Sequence, residues 1–487
     1  MVSMFVSDFI PSALTYIFLI LASNWTGTEI IGHIGFIISF SFILSTLSNF
    51  DVAVGMKRFL GKSFADKDWS TFKQISASAN LLILLTTSIL VIVILNPIFS
   101  YSELLGFDNE LTPIIIIIVL GNNFHNIFKG ILSSALRTKS IIIPTIIASI
   151  VRIPLLFILF NFGFSDSNVS LAYASFFIVI SVLLFGIILN YFRTLSGTSF
   201  NNIRNNFHIL IKGSLPRWIP NIIGVLGSRI NMLIIFSSSG ASETGLFYIP
   251  FAIFGVLLLA TNAVNQIAHP IFSGIQDAKN RHIFLEKTLK YSFIGTFPFA
   301  GMMFFYSTEI LSIFGTSFTI SNNILSILLL GLPFIIFSEA VFYMLYAKGR
   351  YTDVFLLGVS ANVPRISLYF ILIPLYGNEG AAYAFTIGSL IQTILTIFLI
   401  NKDKIKLSYG LFGKIVAIPF IIGGILELFN FNLIGTFIIF ILSYILYIKL
   451  KIINEAEIND FIIMISSKQN NLHQNKVIKI LRKMKLL

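Results

Sequence analysis

Residues 140–161 read SIIIPTIIASIVRIPLLFILFN, and residues 354–374 read VFLLGVSANVPRISLYFILIP. A hydrocarbon core about 30 Å thick needs roughly 20 residues of helix, so each run is long enough to cross it. Each also carries a single charged residue near its middle, Arg152 in one and Arg365 in the other. At a rise of about 1.5 Å per residue, both arginines fall near mid-depth. With the arginines aligned, the runs match from there onward, RIPLLFILF against RISLYFILI. A membrane protein with an internal duplication is the first expectation.

The rest of the chain agrees with a membrane reading. Of 487 residues, 56% are hydrophobic and only 11% charged, and 51 are phenylalanine. A soluble domain carries about a quarter of its residues as charges, so the deficit is what excludes one. The expected spans are 4–22, 33–53, 76–97, 111–128, 140–161, 169–191, 214–236, 245–268, 289–308, 323–345, 354–374, 380–401, 411–428 and 432–449. A membrane β-barrel would alternate apolar and polar residues in segments of about ten; these runs are continuous. The expected fold is therefore an all-α polytopic membrane protein of about fourteen transmembrane helices. The chain has no cysteine, so disulfides and thiolate metal sites are excluded. No Lys or Arg precedes Lys57, so residues 4–22 are read as a span and not as a cleavable signal.

Charge placement sets the expected topology. All but three of the 33 lysines and arginines fall in segments that share one side if the spans alternate. The opposite loops hold Glu29, Glu103, Asp108, Glu110, Asp166, Glu243, Glu309, Glu379 and Glu427, with no Lys or Arg. The positive-inside rule then predicts both termini in the cytoplasm of a plasma-membrane protein. It also accounts for the net charge of +12 without a nucleic-acid partner.

The three remaining cations, Arg152, Arg229 and Arg365, lie inside spans. A charge at that depth costs from about 2.5 to more than 10 kcal/mol, so these side chains are expected to face protein or a wet cavity. The duplication extends beyond the deep pair. Ala172-Tyr173-Ala174 recurs as Ala382-Tyr383-Ala384, Gly27 and Gly32 map to Gly240 and Gly245, and Phe59, Gly61 and Ala65 map to Phe272, Gly274 and Ala278. An even number of spans per copy makes the copies parallel, an architecture that places a binding site between halves. The expected division is an N-lobe at 1–192, a linker at 193–213, a C-lobe at 214–401, two further helices within 402–450, and a basic cytoplasmic tail at 451–487.

Several stretches carry a family resemblance: Gly27 and Gly32, GMKRFLGKSFADKD at 55–68, GLFYIPFAIF after the seventh span, HPIFSGIQDAKN at 269–280, AKGRYTD at 347–353 and LIPLYGNEGAAYAF at 372–385. With these the chain resembles the polysaccharide transporter branch of the multidrug/oligosaccharidyl-lipid/polysaccharide flippase superfamily. The resemblance implies twelve helices in two lobes plus two more, and export of a lipid-linked oligosaccharide by alternating access. The chain departs from that family at Asn231, in SRINMLII, where many relatives carry an acid. An ion-coupling role for that position does not carry over.

Arg152, Arg365 and Arg229 are the expected substrate contacts, because a guanidinium offers a planar donor fork to the pyrophosphate of a polyprenyl- or dolichyl-linked glycan. The bland alternative is that they are structural, bonded to carbonyls or to Glu339. The intramembrane acids Glu339, Asp8 and Asp51 are candidates for ion coupling or for counter-ions. His33, His125 and His269 share no metal-ligand spacing, so no metal is expected. The sequons at Asn24 and Asn168 are near chance frequency, and the tail NKVIKILRKMKLL at 475–487 suits the inner leaflet. No nucleotide fingerprint or catalytic triad is present, so no cofactor and no enzymatic activity are expected. Expected partners are membrane lipids, the lipid-linked substrate and glycan-assembly enzymes, with the chain working as a monomer. Two rivals stay open: a cation-coupled multidrug antiporter of the same superfamily, and a membrane glycan polymerase or ligase. The antiporter needs carboxylates at mid-depth, and the polymerase or ligase needs a large charged outer loop.

Overall fold

The structure, a computed structural model, describes residues 2–96, 101–160, 162, 166–195, 203–429, 431 and 434–454, without the side chains of 2–9, 160 and 204. The Asp8 side chain, residues 196–202 of the expected linker and the tail beyond Asn454 lie outside that description. The long helices are α1 (Val2–Asn49), α2 (Val52–Ala65), α3 (Trp69–Leu95), α5 (Thr112–Ser134), α6 (Lys139–Phe160), α7 (Asp166–Arg193), α8 (Ile203–Gly274), α9 (Ala278–Phe305), α11 (Asn322–Ala347), α12 (Tyr351–Lys402), α13 (Tyr409–Leu428) and α14 (Ile434–Lys449). Short helices α4 (Tyr101–Leu105) and α10 (Ser307–Ser312) sit in acidic-side loops, each followed by a 3₁₀ turn, Asn109–Leu111 and Thr316–Ser321.

Among the described residues, nine helices are long and apolar enough to span, and the apolar α14 is shorter. Three of the nine cannot be single crossings. Straight, the 72 residues of α8 would reach about 108 Å, more than three times the hydrocarbon thickness. Instead α1, α8 and α12 each fold back at a glycine outside helical geometry: Gly27 (φ 79°), Gly240 (φ 88°) and Gly377 (φ 55°). Positive φ costs an L-residue with a Cβ far more than glycine. Each of these helices is thus a pair of spans, and with α9 and α14 the crossings come to about fourteen. Polar side chains within the spans are satisfied by their own helix, as where Thr26, Thr46, Thr145 and Ser149 donate to carbonyls one turn back. The fold is all-α, polytopic and duplicated.

Two compact units divide the chain. The first holds residues up to Ala252, Leu311–Leu328 and Tyr351–Gln392. In it α7 packs on α5 and α6, and α1 packs on α5 and α6. The duplication is visible as a reciprocal crossing of α1 and α8. A methyl group at Gly32 would overlap the carbonyl of Ala241, and one at Gly245 would overlap the carbonyl of Thr28. Thr28 and Ala241 are themselves repeat equivalents, as are Gly32 and Gly245. The hydroxyls of Thr28 and Ser242 share a 2.8 Å hydrogen bond across the crossing. A buried polar network ties α1, α3 and α5 together. Asn123 Nδ2 donates to Ser48 and Thr87, both at 2.9 Å, while Ser45 donates to Asn123 Oδ1 and accepts from Asn122 at 2.8 Å.

The second unit holds Ile253–Ile310, Leu329–Arg350 and the chain from Thr393. Here α13 and α14 pack on α9. The Phe305 ring fills the space a side chain at Gly423 would take, and Tyr447 donates to the Ile415 carbonyl at 2.7 Å. Ser338, Thr393 and Thr396 link α11 to α12 through hydroxyls.

The structure adjusts several sequence boundaries. The second span ends at Asn49, where Phe50 and Asp51 adopt positive φ and break the helix before α2. Residues 203–213 and 278–288, read as loops, are helical. The first basic loop does not keep the register of the arginines. Asp68 caps α3 and Asp277 caps α9 in the same way, but these two caps stand closer in sequence than Arg152 and Arg365 do. The match of Phe59, Gly61 and Ala65 with Phe272, Gly274 and Ala278 therefore slips by about one turn at the helix ends. The α5–α6 and α11–α12 turns do keep the arginine register, with positive φ at Leu136 (55°) and Gly349 (71°).

Candidate anion-binding site

Arg152 is 2% exposed on α6. The helix passes through Pro144 and Pro154 without a break. One guanidinium nitrogen donates to the Pro11 carbonyl at 3.0 Å and to Thr15 Oγ1 at 2.8 Å, both on α1. The rings of Phe18, Tyr173 and Phe176 lie 5.6–5.9 Å from its carbon, and among the described residues Nε has no hydrogen-bond partner. Charge-assisted bonds are worth about 1.5–3 kcal/mol each, and a desolvated cation–π contact up to about 2. These neutral partners offset the burial cost without neutralising the charge.

Arg365 is held by a different set. It donates to Asn362 at 3.2 Å and Ser389 at 2.9 Å, and sits 4.0 Å over the Phe385 ring. Nearby, Tyr369 donates to the Gly227 carbonyl at 3.1 Å. The two arginines are equivalent in sequence, yet Arg152 reaches to the first span while Arg365 reaches within its own folded-back helix. Among the described residues neither forms an ion pair.

Arg229, on α8, is half-buried, and among the described residues it has no hydrogen bond and no ion pair. The Phe42 ring lies 5.3 Å from its guanidinium carbon. Tyr173 and Tyr248 lie within electrostatic reach of both Arg229 and Arg152, and Tyr16 within reach of Arg229. Tyr16 is fixed by donating to the Ala252 carbonyl at 2.7 Å, and the Tyr248 side chain packs closely against Gly35. Arg152 and Arg229 therefore share one tyrosine-walled environment, and the described neighbours of Arg365 form another. Sequence reading overlooked these tyrosines. The available signal was phenols inside apolar spans, with Tyr16 standing at the repeat equivalent of Arg229.

The candidate acids go elsewhere. Asp51 accepts an ion pair from Arg217 Nε at 2.9 Å, and its own amide bonds to Asn49 Oδ1. Glu339 is buried on α11 within reach of the Asn265 amide of α8, and among the described residues its Oε2 is left unsatisfied. Asn231 is fully buried, its Oδ1 accepting from the next backbone amide. His33 pairs with Asp166 at 2.9 Å, and His269 sits among Tyr343 and Tyr346. Among the described residues no cluster of three metal-ligating side chains occurs.

The chain matches no family model. It is 24% identical over 365 residues to a Shigella flexneri protein named as an O-antigen transporter, covering 72% of this chain and 85% of that one. It is 26% identical over 300 residues to the capsular polysaccharide biosynthesis protein CapF of Staphylococcus aureus, covering 59% and 74%. In fold it is similar to the lipid II flippase MurJ in an inward closed conformation, with TM-score 0.74 and 19% identity over 91% of this chain and 97% of that one. It is also similar to the MATE multidrug transporter DinF-BH, with TM-score 0.62 and 17% identity over 83% and 94%. The fold and these relatives bear out the resemblance to the polysaccharide transporters of the multidrug/oligosaccharidyl-lipid/polysaccharide flippase superfamily.

Proposed function

We propose that this transporter moves a lipid diphosphate-linked oligosaccharide from the cytoplasmic to the outer leaflet of the plasma membrane, by alternating access and without catalytic chemistry of its own. The observation that carries this reading is Arg229, a half-buried cation inside a span with no described hydrogen bond or ion pair, which shares the neighbours Tyr173 and Tyr248 with the neutral-bonded Arg152. A permanent cation in hydrocarbon asks for an anionic partner. A diphosphate headgroup supplies one while its isoprenoid tail stays in lipid. The names of the two sequence relatives support a glycan substrate.

Within this reading Arg152 and Arg229 contact the headgroup in the N-terminal half, and Arg365 serves the C-terminal half. The lobes are 1–192 and 214–401, joined by 193–213, with the two further helices within 402–450. Both termini face the cytoplasm, and the chain acts as a monomer alongside glycan-assembly enzymes. The buried pair Glu339 and Asn265 favours a second reading, a cation-coupled antiporter, and the same pair is the candidate ion-coupling element of the flippase.

Purified protein in liposomes separates the two. The flippase reading expects inward-labelled isoprenyl diphosphate glycans to reach the outer leaflet, with no proton- or sodium-driven exchange of organic cations. Cation exchange without lipid movement would overturn it.

A further inference from the structure

On the basic-loop side of the first unit, three cations from three helices converge outside the site described above. Lys57 lies on α2, Lys129 near the end of α5, and Arg217 on α8. Lys129 and Arg217 are the positive charges that act on Lys57, and Asp51 is the carboxylate that acts on it. That carboxylate already holds Arg217 at 2.9 Å.

Backbone packing holds this cluster together against its own repulsion. A side chain at Gly55 would overlap Ser214 of α8, and one at Gly130 would overlap Met56 of α2. Gly55 sits just before Lys57, Gly130 directly follows Lys129, and Ser214 lies one turn before Arg217. Val52, Met56 and Leu60 are each 0% exposed and pin α2 to the core, leaving Lys57 on its outer face. A neutral side chain at 57 would serve this packing with less repulsion. Positive charge gathered in this way favours an anion beyond Asp51.

We infer that Lys57, Lys129 and Arg217 form a capture site for the diphosphate of an isoprenyl diphosphate headgroup, engaged on the basic-loop face before it reaches Arg229. The inference rests on the transport reading for its substrate class. Two ammonium charges and a guanidinium fork suit a compact group with two or more negative charges, whereas a glycerophospholipid headgroup such as phosphatidylglycerol carries one.

Trp218 is a reporter beside the site. It adjoins Arg217, stacks on Phe50 at 4.5 Å and donates to the Thr46 carbonyl at 2.7 Å. Trp25→Phe with Trp69→Phe leaves it the sole tryptophan. Titrating that full-length protein in detergent with farnesyl diphosphate should give a saturable change in its fluorescence, displaced by inorganic pyrophosphate and not by phosphatidylglycerol. Lys57→Gln with Lys129→Gln should weaken binding at least tenfold, and Lys57→Arg with Lys129→Arg should keep it. Unchanged binding in the glutamine variant, or phosphatidylglycerol binding as tightly as farnesyl diphosphate, would overturn the site. Because no transport is needed for the readout, failure here leaves the flippase reading standing. Loss of transport in wild-type liposomes with intact titration would instead remove that reading alone.

Discussion

Gly32 and Gly245, equivalent positions of the two repeats, each press against the other repeat's backbone: Gly32 on the Ala241 carbonyl and Gly245 on the Thr28 carbonyl. Contact i to j is returned as j to i, the signature of a two-fold relation. Ordinary overpacking costs about 1–3 kcal/mol, and here a methyl group would meet backbone, which cannot rotate away. Gly32→Ala and Gly245→Ala should each lower the melting temperature by several degrees and by similar amounts. Gly61→Ala, which meets nothing within 4 Å, is the control, and a thermal melt in detergent reads all three.

The same crossing offers a lock. The chain has no cysteine, and Thr28 and Ser242 meet at 2.8 Å. Thr28→Cys with Ser242→Cys should crosslink under mild oxidant and stop transport, with recovery on reduction. Crosslinking with full transport would show that this crossing stays closed throughout the cycle.

Most of the fold was legible because the bilayer leaves few options: continuous apolar runs must be helices, and glycine and arginine kept a single repeat register at Gly27, Gly32 and Arg152. What stayed hidden was set by tertiary context. Arg152 and Arg365 are equivalent in sequence, but Thr15 lies near one and Ser389 near the other, so their bonding diverges. The slip between Asp68 and Asp277 was invisible because the break at Phe50 and Asp51 is a local φ choice, and no hydrophobic pattern records it. The tyrosines around Arg229 come from α1, α7 and α8, beyond the reach of any local spacing.

Asn123 should matter for stability and not for transport. Its side chain completes three bonds, to Ser45, Ser48 and Thr87. Side-chain bonds within membranes average about 0.6 kcal/mol, so Asn123→Ala should cost about 2 kcal/mol. Unfolding in mixed detergent measures the loss, and activity per folded molecule should be unchanged.

Glu339→Gln keeps the shape of a buried group whose Oε2 has no partner, so folding should be retained. If the Glu339–Asn265 pair couples an ion, transport by this variant should lose its dependence on proton or sodium gradients while downhill movement persists. A gradient dependence identical to wild type would restrict Glu339 to packing.

Arg152 is bonded into α1, whereas Arg229 has no described hydrogen bond or ion pair, so the two should respond differently to loss of charge. Arg152→Gln forfeits the bonds to Pro11 and Thr15 and should reduce both stability and transport. Arg229→Gln should leave the melting temperature within about 1 °C of wild type, because a side chain outside any bonded network contributes little to folding.

The decisive measurement is initial-rate movement of an isoprenyl diphosphate glycan in liposomes reconstituted with matched amounts of folded wild-type and Arg229→Gln protein. The account predicts at least a tenfold loss for the glutamine variant, with partial recovery in Arg229→Lys. Wild-type rates from Arg229→Gln would contradict it.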